Sequence, residues 1–311
     1  MKIIFLGTPD FSSQVLQSLI NSRHQVVGVV TQPDKPSGRG QKLVCSPVKL
    51  LAQQHNIPVF QPNRISKECE PLKELNADIM VTAAYGQILR QNVLDLTPNG
   101  VINVHASLLP KYRGSSPIQW CIIKGETQTG VTIMKTDIGV DTGDMILSKA
   151  ISIGKDETAG ELFDRLSVLG CECLLEALDL IEQGKQTYTK QDNSLMSHYP
   201  MLDKDSGLID FNKTAQEIVN LVRGLNPWPV AFVYLDKEQN LRLKVYKASV
   251  YQDQVDPNLA CGTVISTSPK TGLVVKCKDG AVLLQTIQSA GTKAMSSNDY
   301  LRGRTISNTQ F

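Results

Sequence analysis

The 311-residue chain has no C-x-x-C pair: its seven cysteines, at positions 45, 69, 121, 171, 173, 261 and 277, are odd in number and scattered. Neither a disulfide framework nor a cysteine-based zinc site is indicated, and reduced, buried thiols in a cytosolic protein fit that usage. No apolar run approaches the roughly 18 residues that a membrane span needs. Ile3-Ile4-Phe5-Leu6 stops at Gly7-Thr8-Pro9, too short a run for a signal peptide but suited to a buried strand. A cytoplasmic protein with no membrane partner is therefore expected. Gly7-Thr8-Pro9-Asp10 lacks the G-x-G-x-x-G turn, which speaks against a dinucleotide oxidoreductase. Low-complexity tracts are missing too. What remains is a globular composition, 41% hydrophobic and 20% charged, long enough for one large domain or two ordinary ones.

The net charge of +2 hides an asymmetry. Residues 209–311 carry 12 Lys and Arg against 8 Asp and Glu, whereas the remainder carries 20 basic and 22 acidic residues. A modestly basic final third suits a polyanionic partner, although four surplus charges can also serve solubility.

The first part alternates strand-like and helix-like segments. Lys2–Leu6, Gln25–Thr31, Asp78–Ala83 and Val101–His105 read as buried strands, and Phe11–Asn21 and Val48–His55 as helices, the latter opened by Ser46-Pro47. This alternation predicts an α/β domain, a doubly wound and mostly parallel sheet of Rossmann-like kind, with ligands beyond the carboxyl ends of its strands. Gly130–Lys135 and Met145–Ile153 read as a strand pair bracketing a turn-rich acidic segment. Thr158-x-x-Glu161 is a capping box opening a long helix that stops at Gly184. Residues 190–208 are polar and aperiodic and read as a linker. Beyond a helix at Lys213–Arg223, five short β-rich runs suggest a small sandwich or barrel, an OB-like barrel being one candidate.

The most informative segment is Val101–Pro110. Asn103 and His105 lie two apart on an apolar strand, so both side chains point to one side at its carboxyl end. An amide donor beside an imidazole can stabilise an oxyanion and move a proton. The bland alternative, two side chains that merely bond the next loop, is common for so short a pattern. Leu108 and Leu109 follow at once and could wall an apolar pocket, with Pro110 and Gly114 shaping the turn. Asp137, Asp141 and Asp144 form an acidic segment that does not fit an EF-hand; one of the three could orient His105.

Asn103-x-His105-x-Ser107-Leu108-Leu109-Pro110-x-x-Arg113-Gly114, followed by Asp137-x-Gly139-x-Asp141-Thr142-Gly143-Asp144, resembles the folate-dependent formyltransferase family, and on its tRNA-directed branch the likeness runs from Ile3 to Pro229. The resemblance implies a metal-independent formyl-group transferase with Asn103, His105 and Asp141 as catalytic trio. It implies a folate loop at Ser107, Leu108, Leu109 and Pro110, and a pterin pocket to which Gln87, Ile88 and Leu89 contribute. It further implies 10-formyltetrahydrofolate as donor, tetrahydrofolate as product, and methionyl initiator tRNA as acceptor, in the service of translation initiation. The domains implied are a catalytic domain at 1–189, the linker at 190–208 and an OB-like tRNA-binding domain at 209–311, acting as a monomer.

The acceptor rests on features outside the trio. The Pro- and Gly-rich loop 32–42 offers Lys35, Arg39 and Lys42 at a strand's carboxyl end, where three cations could grip phosphates; an ordinary surface loop is the alternative. The resemblance implies that Arg39 contacts the tRNA acceptor end. After Tyr199 the family usually has Ala-x-Lys, whereas Pro200 and Met201 stand here, so no tRNA contact is carried over to the linker. The rival readings are a formyltransferase acting on an amino-sugar nucleotide, a formyl-folate hydrolase and a non-catalytic tRNA-binding protein.

Overall fold

The computed structural model describes residues 1–37 and 42–311, the side chains of positions 37 and 42 apart. The chain forms two compact units, Met1–Pro117 with Gln128–Ile151 and Phe163–Tyr199, and residues 118–127 with Ser152–Leu162 and Pro200–Phe311. The expected linker thus divides at Tyr199, its first residues going with the first unit.

In the first unit the strands are β1 (Lys2–Gly7), β2 (Gln25–Val30), a small hairpin of β3 (Lys35–Ser37) and β4 (Lys42–Val44), β5 (Val59–Phe60), β6 (Ile79–Ala83), β7 (Val101–His105), β8 (Gln128–Lys135) and β9 (Met145–Ser152), whose last residue falls in the second unit. The main sheet has the order β5-β2-β1-β6-β7-β8-β9. Its first five strands run parallel, and β8 returns antiparallel to β7 with His105 opposite Thr132. Continuous burial along β1 and β6 is what a sheet covered on both faces demands, and it explains the unbroken apolar runs in the sequence. The helices α1 (Asp10–Ile20) and α2 (Pro47–Gln54) follow β1 and the hairpin. The Ser46 hydroxyl accepts from Lys49 N and caps α2, with Pro47 at the first helical position. One-turn helices α3 (Ile65–Glu68), α4 (Glu70–Lys73) and α5 (Gln91–Leu94) bring Ile65, Leu72, Val93 and Leu94 into a core with Ile4, Leu6 and Met80. They are too short for helical periodicity to register.

The chain then forms α6 (Pro117–Ile123), most of it in the second unit, and α7 (Ala159–Glu182), most of it in the first. At the start of α7 the expected box is closed reciprocally: Glu161 N donates to Thr158 Oγ1, and Thr158 N to Glu161 Oε2. In the second unit, α8 (Ala215–Gly224) has the same device at Thr214 and Glu217. The β-rich runs become β10 (Ala231–Asp236), β11 (Leu241–Val250), β12 (Val264–Ser268), β13 (Gly272–Cys277), β14 (Gly280–Gln288) and β15 (Met295–Ser296), with α9 (Ser297–Gly303) after them. They pair antiparallel in the order β10-β11-β14-β13-β12, β15 adding to β14. This curled half-barrel sheet closes over Ile218, Val222, Leu243, Val245, Leu273, Val275 and Leu284, all essentially inaccessible. The fold class expected from the sequence is thereby borne out. Among the described residues no helix is long and apolar enough to cross a membrane.

Candidate active site

Strand β7 is anchored by Val101, Ile102 and Val104, each buried in the sheet, which leaves Asn103 and His105 projecting together. His105 is 6% exposed, and its Nε2 lies 2.9 Å from the Tyr112 carbonyl oxygen. A carbonyl can only accept, so Nε2 carries the proton and Nδ1 is the nitrogen left for chemistry. Nδ1 faces Asp141 Oδ2 at 3.6 Å, beyond direct hydrogen-bond reach. Asn103 Nδ2 donates to Asp141 Oδ1 at 3.3 Å, and Gly114 N donates to Oδ2 at 2.8 Å. The three residues expected to act together thus converge on one carboxylate.

Asp141 arrives there on a loop. Its φ of +53° lies in the left-handed region, which Asp tolerates better than most side chains. Of the other two acids, Asp137 staples the turn: its Oδ1 accepts from Gly139 N (3.0 Å) and Thr142 Oγ1 (2.6 Å). Asp144 closes the loop through its backbone, its carbonyl accepting from Lys135 N at 2.8 Å. A Cβ at Gly143 would collide with the Lys135 carbonyl, so only glycine lets the loop approach β8 this closely.

A brace from residues 189–199 completes the surroundings. The Gln191 amide donates from Nε2 to the carbonyls of Asp141 (2.9 Å) and Gly143 (2.8 Å). Its Oε1 accepts from Arg113 Nε (3.0 Å) and Nη2 (2.7 Å), and Arg113, itself buried, also donates to Asn193 Oδ1. Ser197 Oγ accepts from Tyr112 N, Ser197 O accepts from Arg113 N, and Tyr199 stacks on Tyr112 at 5.4 Å. The His198 ring occupies the space beside Gly114 that a Cβ would need, and Gly114 has φ +90°. The sequence carried no sign of this brace. Gln191 stands isolated in an aperiodic stretch, and Tyr112 acts through its carbonyl, which no side-chain pattern reports.

The loop after β7 is folded on itself. Ser107 is fully buried and donates from Oγ to Lys111 O at 2.7 Å. Thr132 on β8 donates to Ser107 O (2.7 Å) and accepts from Leu109 N (3.2 Å), while Ser148 Oγ donates to it in turn. Leu109 packs inward, and Leu108 and Pro110 remain half-buried. At the end of β6, Tyr85 O accepts from Thr8 Oγ1 and Gln32 Nε2, which pins a tight turn with Ala84 and Gly86 at positive φ. Burial drives the Tyr85 phenol well above its ordinary range, so it stays neutral beside Leu89 in the core. Gln87 accepts from Ile65 N and donates to Pro62 O, and Ile88 is left 69% exposed. An unpacked Ile88 is apolar surface of the kind a flat heteroaromatic ring covers.

The cationic loop begins at Asp34, which Lys49 Nζ (2.6 Å) and Gln61 Nε2 (2.8 Å) grip; the Lys49 bond holds its carboxyl below the usual range. Lys35 is exposed. Arg39 and the side chain of Lys42 lie outside the described residues. Among the described residues, no group of three or more His, Cys, Asp or Glu is arranged to hold a metal ion.

Comparison with known proteins places the whole chain in a family. The chain is 46% identical to the methionyl-tRNA formyltransferase of Geotalea daltonii, covering 98% of this chain and 96% of that one. It is 47% identical to that of Geobacter metallireducens (97% and 96%) and 46% identical to that of Clostridioides difficile (98% and 98%). Among solved structures, an N-formyltransferase from Helicobacter canadensis complexed with folinic acid and dTDP-3-aminofucose superposes with a TM-score of 0.69 at 20% identity, covering 92% of this chain and 99% of that one. HypX from Aquifex aeolicus in complex with tetrahydrofolic acid gives 0.64 at 17%, covering 97% of this chain and 47% of that one. At such identities these two likenesses show the fold alone. Residues 1–178 match the formyl transferase family and residues 201–305 its C-terminal domain, and with relatives this close over nearly the whole length, the chain belongs to the formyl transferase family.

Proposed function

We propose that this protein transfers the formyl group of 10-formyltetrahydrofolate to the amino group of methionyl initiator tRNA. The observation that carries the reading is the convergence of Asn103 Nδ2 and His105 Nδ1 on Asp141, in a chain so similar throughout to methionyl-tRNA formyltransferases.

The folate, when bound, supplies an activated formyl carbon. Ile88, Leu108 and the backbone around Pro110 would hold its pterin end, with Gln87, Leu89, Ser107 and Leu109 as the scaffold behind them. His105, its Nε2–H spent on the Tyr112 carbonyl, offers the Nδ1 lone pair to take a proton from the acceptor amine as that nitrogen attacks. Asp141, 3.6 Å from Nδ1, stabilises the imidazolium so formed, and the proton then passes to N10 of the folate as its bond to the formyl carbon breaks and tetrahydrofolate leaves. The long Asn103 bond to Asp141 is readily exchanged. Its Nδ2 can turn a donor to the formyl oxygen as charge develops there, worth about 3 kcal/mol in comparable sites.

Residues 209–311 are proposed as the tRNA-binding domain, joined by the linker 190–208, with Lys35, Arg39 and Lys42 contacting phosphates near the acceptor end. The basic surplus of that region supports this division. Affinity for tRNA then falls steeply with added salt. The deciding assay supplies 10-formyltetrahydrofolate with methionyl initiator tRNA, methionyl elongator tRNA or an amino-sugar nucleotide. Formylation of initiator tRNA is expected; formylation of the sugar alone overturns the proposal.

A further inference from the structure

We infer that Gln191, outside both sequence motifs, is the positioning residue that sets Asp141 against His105; this rests on the function proposed above. All four hydrogen-bonding positions of its amide are used, two N–H groups on the carbonyls of Asp141 and Gly143 and two lone pairs on the Arg113 guanidinium. That saturation fixes the amide's orientation, because a flip would face oxygen to carbonyl and N–H to guanidinium.

The consequence lies in what each bond controls. Asp141 sits at φ +53°, where the backbone gains little from its own conformation, and Gln191 holds its carbonyl directly. On its other side Gln191 fixes Arg113, whose neighbour Gly114 donates to Asp141 Oδ2. Gln191 therefore acts on the carboxylate from two sides without touching it, through the Asp141 backbone and through the chain around Gly114. Strand β7 reaches the carboxylate only through the long Asn103 bond, so the Oδ2-to-Nδ1 separation depends on the Gly114 amide and on the loop position that Gln191 holds. Arg113 keeps a second neutral partner in Asn193, so the guanidinium stays anchored when Gln191 changes. A displacement of about 1 Å at such a centre costs about 100-fold in turnover.

The test compares Gln191→Glu and Gln191→Met with the unmodified protein. Glutamate keeps an acceptor for Arg113, now as an ion pair, but loses both N–H donors and sets a carboxylate against two carbonyls. The expected result is kcat lowered about 100-fold, with KM for both substrates and the melting temperature little changed. Gln191→Met, which loses donors and acceptor without adding charge, lowers kcat in the same way with KM unchanged. Parental kcat in either folded variant overturns the inference, as does a KM raised in step with the loss of kcat. So does a loss of turnover that merely tracks loss of folded protein. Inactivity of the unmodified protein would count instead against the proposed function.

Discussion

Strand β7 and the loop that carries Asp141 meet at one site but are held there by different physics. Asn103 and His105 inherit their positions from a ladder: backbone bonds to β6 and β8 and three buried apolar neighbours leave little freedom. Asp141 inherits its position from side chains distant in sequence, Gln191 and Asn103, and from the amide of Gly114. A position set by a ladder survives the loss of any one side chain. A position set by single hydrogen bonds does not, so the same chemistry is robust on one side and conditional on the other.

The largest effect tests the ladder side. His105→Ala removes the proposed proton acceptor and should lower turnover by about 10²–10⁴-fold with unchanged tRNA affinity, read by single-turnover kinetics beside a binding assay. Asn103→Ala should cost about 10²–10³-fold, again with the fold intact by circular dichroism. On the loop side, Asp141→Asn keeps a residue that accepts the left-handed conformation while removing the charge; about 100-fold is expected, with melting temperature unmoved. If that variant melted earlier as well, the carboxylate would be holding the loop rather than serving His105. Gly143→Ala reverses the pattern, because its Cβ meets the Lys135 carbonyl and should cost about 1–3 kcal/mol by chemical denaturation.

The smallest effect lies away from the site, where His24 meets the N-terminal amine and Asp179 of α7. Burial holds the His24 imidazole, just ahead of β2, below its ordinary value of about 6.5. Below that pH the unfolded chain binds a proton that the folded one resists, so stability is full above it and declines as pH falls further. His24→Gln should flatten the decline below pH 6.5.

What was legible followed the same division. The span of β7 was read from its apolar pattern as found, and α7 from its capping box to within a residue. The trio was singled out because two of its members share a strand and the third sits in a turn rich in Asp and Gly. Helices α3, α4 and α5 went unread because four residues cannot display a 3.6-residue period. Residues 190–199 read as a linker because their contribution is hydrogen bonding by isolated polar side chains, a pattern that polar loops share. Gln87 illustrates the converse: placed by resemblance at a pocket, it has both ends of its amide committed to Ile65 and Pro62.

Thr132 has a consequence for how molecules enter. Its hydroxyl ties Ser107 and Leu109 to the strand opposite His105, so moving that loop means breaking several buried bonds at once. The Leu109 amide should therefore exchange with deuterium only through large-scale opening, whereas the Gly139 amide, on an exposed side-chain acceptor, should exchange through local fluctuation. On the proposed function, the folate then meets a Ser107–Pro110 loop that is already set in place before it binds.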